Sequence, residues 1–394
     1  MIELSGLRRY NTRSGTTRLE ADIKFIGMKI PAPADKLYLE VDANFGGMLV
    51  DDAYDSFMLV ALHSAMFHKT DLRIRGNVSK RLYKNLTNYT QKILCDYSDE
   101  FSPVKIIVDG FTSTAATGNL IGAGISCGAD SLSTVYDRFI REDDPDYRIN
   151  ALFFFNCGAN GYFADPFTAT AARNNFRHGA TCAAELGLPI IFVDTNLHRL
   201  KPAESKETFI FFATFACVLA MQNAVRRYYI AGSYSYGEIK RCGVEFDCHD
   251  LAGFGESFFL PLIQTERTEI ILDGCQYRRI DKVVKLADWD IARKFLYVCA
   301  SHTEDASNCG TCQKCLRTLL TFEMLGKLDD FAKIFDVEQY RRESFNYKVS
   351  CVLNADKDIF CREIVDLAAE LNFPMPTRSG CYILGDNVML VADD

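Results

Sequence analysis

Residues 120–131 read LIGAGISCGADS, and this stretch decides the fold. An apolar run of strand length (120–125) ends in a short polar loop with one glycine, and a helical pattern through Tyr136 and Phe139 follows. A strand that runs through such a loop into a helix presents backbone N–H groups at a helix N-terminus, where an anion is favoured. Ser126 and Ser131 bring hydroxyl donors, and Gly128 allows close backbone approach. Asp130 repels phosphate, so its expected part is to cap the helix or to hold a bridging magnesium ion.

The rhythm continues outward from this point. Further strand-length apolar runs are 151–155, 189–193 and 228–231, separated by helical stretches at 171–186 and 206–226. Repeated βα units of this kind predict an α/β fold with a doubly wound parallel sheet, whose ligands lie beyond the carboxyl ends of the strands. By that topology 156–158 (Asn-Cys-Gly) is placed to meet a nucleotide base. Before the α/β unit, residues 1–112 read as an N-terminal α+β extension, with a strand at 36–43 and helices at 55–67 and 78–95. The α/β domain spans 113–325. Residues 326–394 form a C-terminal extension, helical at 328–335 and 359–371 and ending in a strand pair about Gly385-Asp386.

Composition narrows the function. The net charge of −8 disfavours a nucleic-acid substrate. The most apolar run, 209–221, is too short to span a bilayer. The start of the chain carries no signal-like apolar core, and 15 cysteines, an odd number, point to reduced thiols in a cytoplasm.

Four of these cysteines stand apart. Cys299, Cys309, Cys312 and Cys315 are spaced C-x9-C-x2-C-x2-C, with Gly310 at the tight knuckle. Four soft thiolates complete a zinc tetrahedron and leave no open position, so the site is expected to be structural. His302, inside the first interval, is the rival ligand, and four buried free thiols are the alternative without metal. The segment 247–250 (DCHD) is read as a loop with hydrogen-bonded polar groups.

The 126–131 loop resembles the Ser-Gly-Gly-X-Asp-Ser fingerprint of the PP-loop ATP pyrophosphatases. Followed by the cysteine quartet, it resembles the 7-cyano-7-deazaguanine synthase family, in a larger form similar to components of anti-phage operons. The resemblance covers about residues 115–325. It implies a PP-loop domain with structural zinc in which Ser126, Cys127, Gly128, Ala129, Asp130 and Ser131 hold the pyrophosphate of ATP. Lys282 and Arg279 (in Arg279-Ile280-Asp281-Lys282) and Arg317 (after Cys315-Leu316) would act on phosphate or adenylate. It implies ATP, Mg2+ and Zn2+ as cofactors, and a deazaguanine-like small carboxylate as substrate. That acid would be adenylated and attacked by an amine to give an amide or nitrile, or would be conjugated to a protein acceptor. Cys127 stands where the family has glycine, and a side chain there is expected to narrow the loop or alter its dihedrals. The competing expectations are a tRNA-modifying PP-loop enzyme and a non-catalytic nucleotide-binding partner protein.

Overall fold

The computed structural model describes residues 1–28, 33–112, 118–159, 161–202, 206–244, 256–300, 307–377, 381–384 and 387–390. Five strands come from the first 112 residues: β1 (Ile2–Asn11), β2 (Thr16–Phe25), β3 (Lys36–Asp42), β4 (Leu72–Ser79) and β5 (Ile106–Thr112). Five more follow: β6 (Leu120–Gly124), β7 (Ala151–Asn156), β8 (Ile190–Thr195), β9 (Val225–Ala231) and β10 (Glu269–Asp273). All ten join one sheet in the order β10-β9-β6-β7-β8-β3-β2-β1-β4-β5.

Most neighbours are parallel, and only β1–β2, β2–β3 and β3–β8 pair antiparallel. Counted along the chain from β6, the second half has the order fifth-fourth-first-second-third. Strand order therefore reverses between β6 and β9, and such a switch point opens a crevice at the carboxyl ends of the strands. The 126–131 loop leaves β6 at that crevice.

The strands alternate their side chains between two cores, as the pleat requires. Ala151, Phe153 and Phe155 face one core with α1 (Asp55–Phe67) and α6 (Lys206–Leu219). Leu152 faces the other with α4 (Ala129–Val135), α9 (Arg279–Leu286), α10 (Asp290–Phe295) and α11 (Gln313–Met324). Each fully buried Phe contributes about 2–3 kcal/mol. Close packing also fixes Gly122, where an added Cβ would lie 2.1 Å from the Phe153 ring.

The remaining helices are α2 (Lys80–Asn85), α3 (Gln91–Tyr97), α5 (Ala169–Leu186), α7 (Tyr236–Val244), α8 (Glu256–Phe259), α12 (Val337–Asn354) and α13 (Ile359–Glu370). A separate hairpin pairs β11 (Cys381–Leu384) with β12 (Asn387–Leu390).

The structure departs from the expected elements in four places. The helix expected over 206–226 ends at Leu219, because Val225 and Arg226 belong to β9. Sequence reading missed β1 and β2: β2 alternates cleanly, with Arg18, Glu20, Asp22 and Lys24 between Leu19, Ala21, Ile23 and Phe25, whereas the period of β1 slips at a bulge between Ser5 and Arg8. In β10 the apolar run is only three residues long. Helix α12 was missed because its apolar residues follow no clean helical stripe. No described helix is long and apolar enough to cross a membrane.

Candidate functional site

The loop after β6 meets α4 without a side-chain cap: Gly128 occupies the N-cap position, with extended backbone. Asp130 is therefore not the cap. The Ser126 and Ser131 hydroxyls lie 3.1 Å apart, and Ser126 Oγ accepts from the Gly128 amide at 3.3 Å. A cavity of about 350 Å³ opens here, lined by Ser126, Gly128, Ala129 and Asp130, by Arg279 on α9 and by Lys314 and Arg317 on α11.

Cys127 adopts φ +57°, in the left-handed region that favours glycine. This backbone geometry accounts for a glycine in the fingerprint. The thiol does not narrow the loop: it is fully buried in the core that also holds Cys182 of α5. The residue offers the site its backbone alone, and its carbonyl accepts from the Tyr297 amide at 2.9 Å. Cys127→Gly is expected to relieve about 1 kcal/mol of left-handed strain. Loss of the buried thiol and greater chain entropy offset much of that gain. The net change in denaturant-measured stability should stay within about 1 kcal/mol.

The structure brings Arg279 and Lys282 to the loop from 149 and 152 positions away. Arg279 pairs with Asp130 Oδ2 at 2.8 Å, and Lys282 pairs with Asp130 Oδ1 at 3.1 Å. Lys282 is 0% exposed and also donates to the Gly232 carbonyl, just beyond β9, at 2.6 Å. Both Asp130 oxygens thus pair with cations, so this carboxylate anchors positive charge at the crevice. Arg279 Nε is buried without a hydrogen-bond partner.

Arg317 stacks on Phe360 of α13, its guanidinium carbon 3.9 Å from the ring centroid; Arg279 lies 5.7 Å from the same ring. Among the described residues Arg317 forms no ion pair. Burial, and then the neighbouring Arg279, push its pKa below the ordinary guanidinium value. Two cations on one aromatic platform, one of them unpaired, leave positive potential facing the cavity. Asn175 of α5 also lines the cavity at 8% exposure.

Sequence reading missed Phe360 and Glu363, which lie in the C-terminal extension. Glu363 is 3% exposed and accepts the Arg279 and Ile280 amides at 3.2 and 2.9 Å, so it caps α9. Burial first, and then the adjoining Glu238, push its pKa up to about 9 from 4.5. A carboxyl whose folded pKa is raised binds more protons in the native state than in the unfolded state. Its contribution is therefore full below about pH 4.5 and is lost as pH rises towards 9. Glu363→Gln should flatten the fall of melting temperature between pH 5 and 9, whereas Glu363→Ala should destabilise at every pH by leaving two amides unpartnered.

Asn156 points away from the proposed base position. Its amide donates to Asp194 at 2.6 Å and its oxygen accepts from the Phe163 amide. Cys157 instead lines a second cavity of about 250 Å³, with Ser126, Asp130 and Tyr228, at the ends of β6, β7 and β9.

The four cysteines form a second centre beside the first. The Sγ atoms of Cys299, Cys309, Cys312 and Cys315 all lie within 4.8 Å of one another. A tetrahedron with Zn–S bonds of about 2.3 Å needs sulfurs about 3.8 Å apart; Cys309 and Cys315 are at 3.9 Å. The quartet can hold a metal such as zinc. Gly310 takes φ +75°, and a Cβ there would lie 2.4 Å from the Asp336 carbonyl, so the knuckle demands glycine. Asn308 clamps the turn, accepting from the Val298 and Cys299 amides and donating to the Leu296 and Ile334 carbonyls. Helix α11 therefore carries Cys315 on the metal side and Arg317 on the cavity side. Both His302 and the 247–250 segment lie outside the described residues.

Compared with known proteins, the chain matches no family model, no curated protein and no solved structure.

Proposed function

We propose that the chain binds ATP by its phosphates at Ser126–Ser131 and splits it to AMP and pyrophosphate while activating a small carboxylic acid. One observation carries this reading: an uncapped helix start at the strand-order reversal shares one cavity with Arg279, Lys314 and Arg317, the last without an ion pair among the described residues, while the buried Lys282 holds Asp130 from behind. Uncapped N–H groups and converging cations favour a polyanion. In the proposed reaction a carboxylate oxygen attacks the α-phosphorus and the bond to pyrophosphate breaks. The cations stabilise the charge that moves onto the departing pyrophosphate. An amine then attacks the acyl carbon, AMP leaves with the bonding electrons, and the amine loses its proton.

In this scheme Arg279 and Arg317 touch phosphate oxygens, and Lys282 bridges Asp130 to the end of β9. Magnesium arrives with the nucleotide, and Asp130, at the edge of the cavity, is the carboxylate nearest the loop. The metal quartet holds α11, and with it Arg317, in place. A 7-carboxy-7-deazaguanine-like acid is the substrate class, and ammonia or a protein amine the acceptor class, that the resemblance to the 7-cyano-7-deazaguanine synthase family implies. The burial of the Cys127 thiol removes the main support for a degraded, non-catalytic loop. The test is release of AMP from α-labelled ATP with 7-carboxy-7-deazaguanine and simpler aromatic acids. Acid-dependent AMP is expected; release of ADP, or no turnover with any acid and amine pair, would contradict the proposal.

A further inference from the structure

Ser126, Gly128, Ala129 and Asp130 form one wall of the cavity of about 350 Å³; the others come from α5, α9, α11 and residues 297–299. Asp130 is the one acid among the lining residues, against Arg279, Lys314 and Arg317. Arg279 is paired with it. Lys314 is exposed, and neither it nor Arg317 forms an ion pair among the described residues. The cavity thus keeps two cations without a counter-charge, enough for more than one anionic group. The two lie three positions apart on α11, so they share a face and are offset by about 4.5 Å along it. A second anion can therefore sit beside the first.

The wall from α5 adds a neutral polar group. This helix joins the parallel strands β7 and β8, so it runs against them and starts beyond their carboxyl ends. Gly179 seats it close to the loop: an added Cβ there would lie 3.1 Å from the Ile125 carbonyl. Asn175, four residues earlier, is on the same face, about 6 Å nearer the helix start. It lines the cavity, is 8% exposed, and its side-chain amide makes no hydrogen bond with any described residue. An amide held in this way has a donor and an acceptor ready for a ligand. The α11 side offers little other polarity. Thr318 and Thr321 spend their hydroxyls on the Lys314 and Arg317 carbonyls at 2.8 and 3.0 Å. With Ile280, Val283 and Val298 they complete a largely apolar wall.

We infer that the cavity has a second subsite beside the phosphate loop, in which Lys314 holds the carboxylate of the acid and the Asn175 amide holds a polar atom on its body. The division of labour follows from charge. Arg279 and Arg317, joined on the Phe360 ring, serve the phosphates. Lys314 stands apart from that ring pair on the same helix face, where a carboxylate would lie next to the phosphorus it attacks. A charge-assisted hydrogen bond from the ammonium separates an acid from its neutral amide, whereas Asn175 reads the part that both share. The role of the subsite rests on the adenylation reading; binding of a carboxylate there does not.

The test compares the full chain with Lys314→Gln, Lys314→Arg and Asn175→Leu. Each is titrated calorimetrically with 7-carboxy-7-deazaguanine and with its carboxamide, beside a non-hydrolysable ATP analogue, and each is assayed for AMP release with acid and ATP varied separately. Lys314→Gln should weaken the acid by about tenfold or more and leave the amide unchanged, and Lys314→Arg should restore most of the loss. Asn175→Leu should weaken acid and amide alike, by about tenfold. In the AMP assay both losses should appear in KM for the acid, with KM for ATP within about twofold and zinc content unchanged. No binding of the acid, or acid binding that neither Lys314→Gln nor Asn175→Leu changes, would overturn the inference. So would equal loss of acid and amide in Lys314→Gln. If AMP forms with an unchanged KM for the acid in both variants, the subsite falls while the adenylation reading stands. If the acid binds with the expected dependence and no AMP forms, the subsite stands and that reading falls.

Discussion

Arg317→Gln is expected to lower acid-dependent AMP formation by about two orders of magnitude, while the melting temperature moves little. Removing one donor aimed at charge that develops in the transition state costs about 10²–10³ in rate. Arg317 forms no ion pair among the described residues and lies beside the like-charged Arg279, so its loss breaks no bridge in the unliganded protein. Lys282→Met provides the contrast. It should lose as much activity, but it also removes the amine from Asp130 and from the Gly232 carbonyl. Breaking a buried pair from one side costs about 3–5 kcal/mol, so this variant should unfold at clearly lower denaturant. Steady-state AMP release and urea unfolding on both variants check the pair. Equal stability losses would show that Arg317 is a structural cation, not a phosphate ligand.

Cys315→Ser carries the second large effect. Cys315 is fully buried at the start of α11, two residues before Arg317. A hard hydroxyl in place of a soft thiolate spoils the zinc tetrahedron, and metal binding is folding free energy for such a knuckle. Zinc in the purified variant should fall well below one equivalent. A local loss of about 4 kcal/mol would lower the melting point by about 5 °C. AMP formation should fall with it, because α11 carries Arg317 on its other side. Full zinc occupancy in Cys315→Ser, or metal-free wild type with unchanged melting, would remove the metal from the account.

How much of this was legible in the sequence depended on distance along the chain. The turn after β6 and the cysteine quartet are local patterns, and each appears where it was read, with the four thiols clustered. The α/β rhythm was also legible, because the strands flanking the crevice are apolar on both faces. The partners of the loop were legible only through resemblance. Asp130 and Lys282 are 152 residues apart, and no spacing rule joins them. Phe360 and Glu363 carried no signal at all: an aromatic and an acid on a helical stretch look like core and surface until α13 is seen against α9. At Cys127 an unusual dihedral was among the outcomes expected, and only the direction of the side chain was not legible. A side chain in the left-handed region points where a glycine would have none, and here that direction is into the core. Among the N-terminal strands β3 was legible, β1 was obscured by the bulge between Ser5 and Arg8, and β2 was overlooked despite the clean alternation of residues 18–25.

The account rests on the crevice between β6 and β9 receiving the phosphates of ATP. A crystal soaked with magnesium and a non-hydrolysable ATP analogue tests this directly. The expected result is triphosphate density against the Gly128–Ser131 amides, with Arg279 and Arg317 turned onto its oxygens. Nucleotide bound elsewhere, or a vacant crevice at saturating analogue, would contradict it.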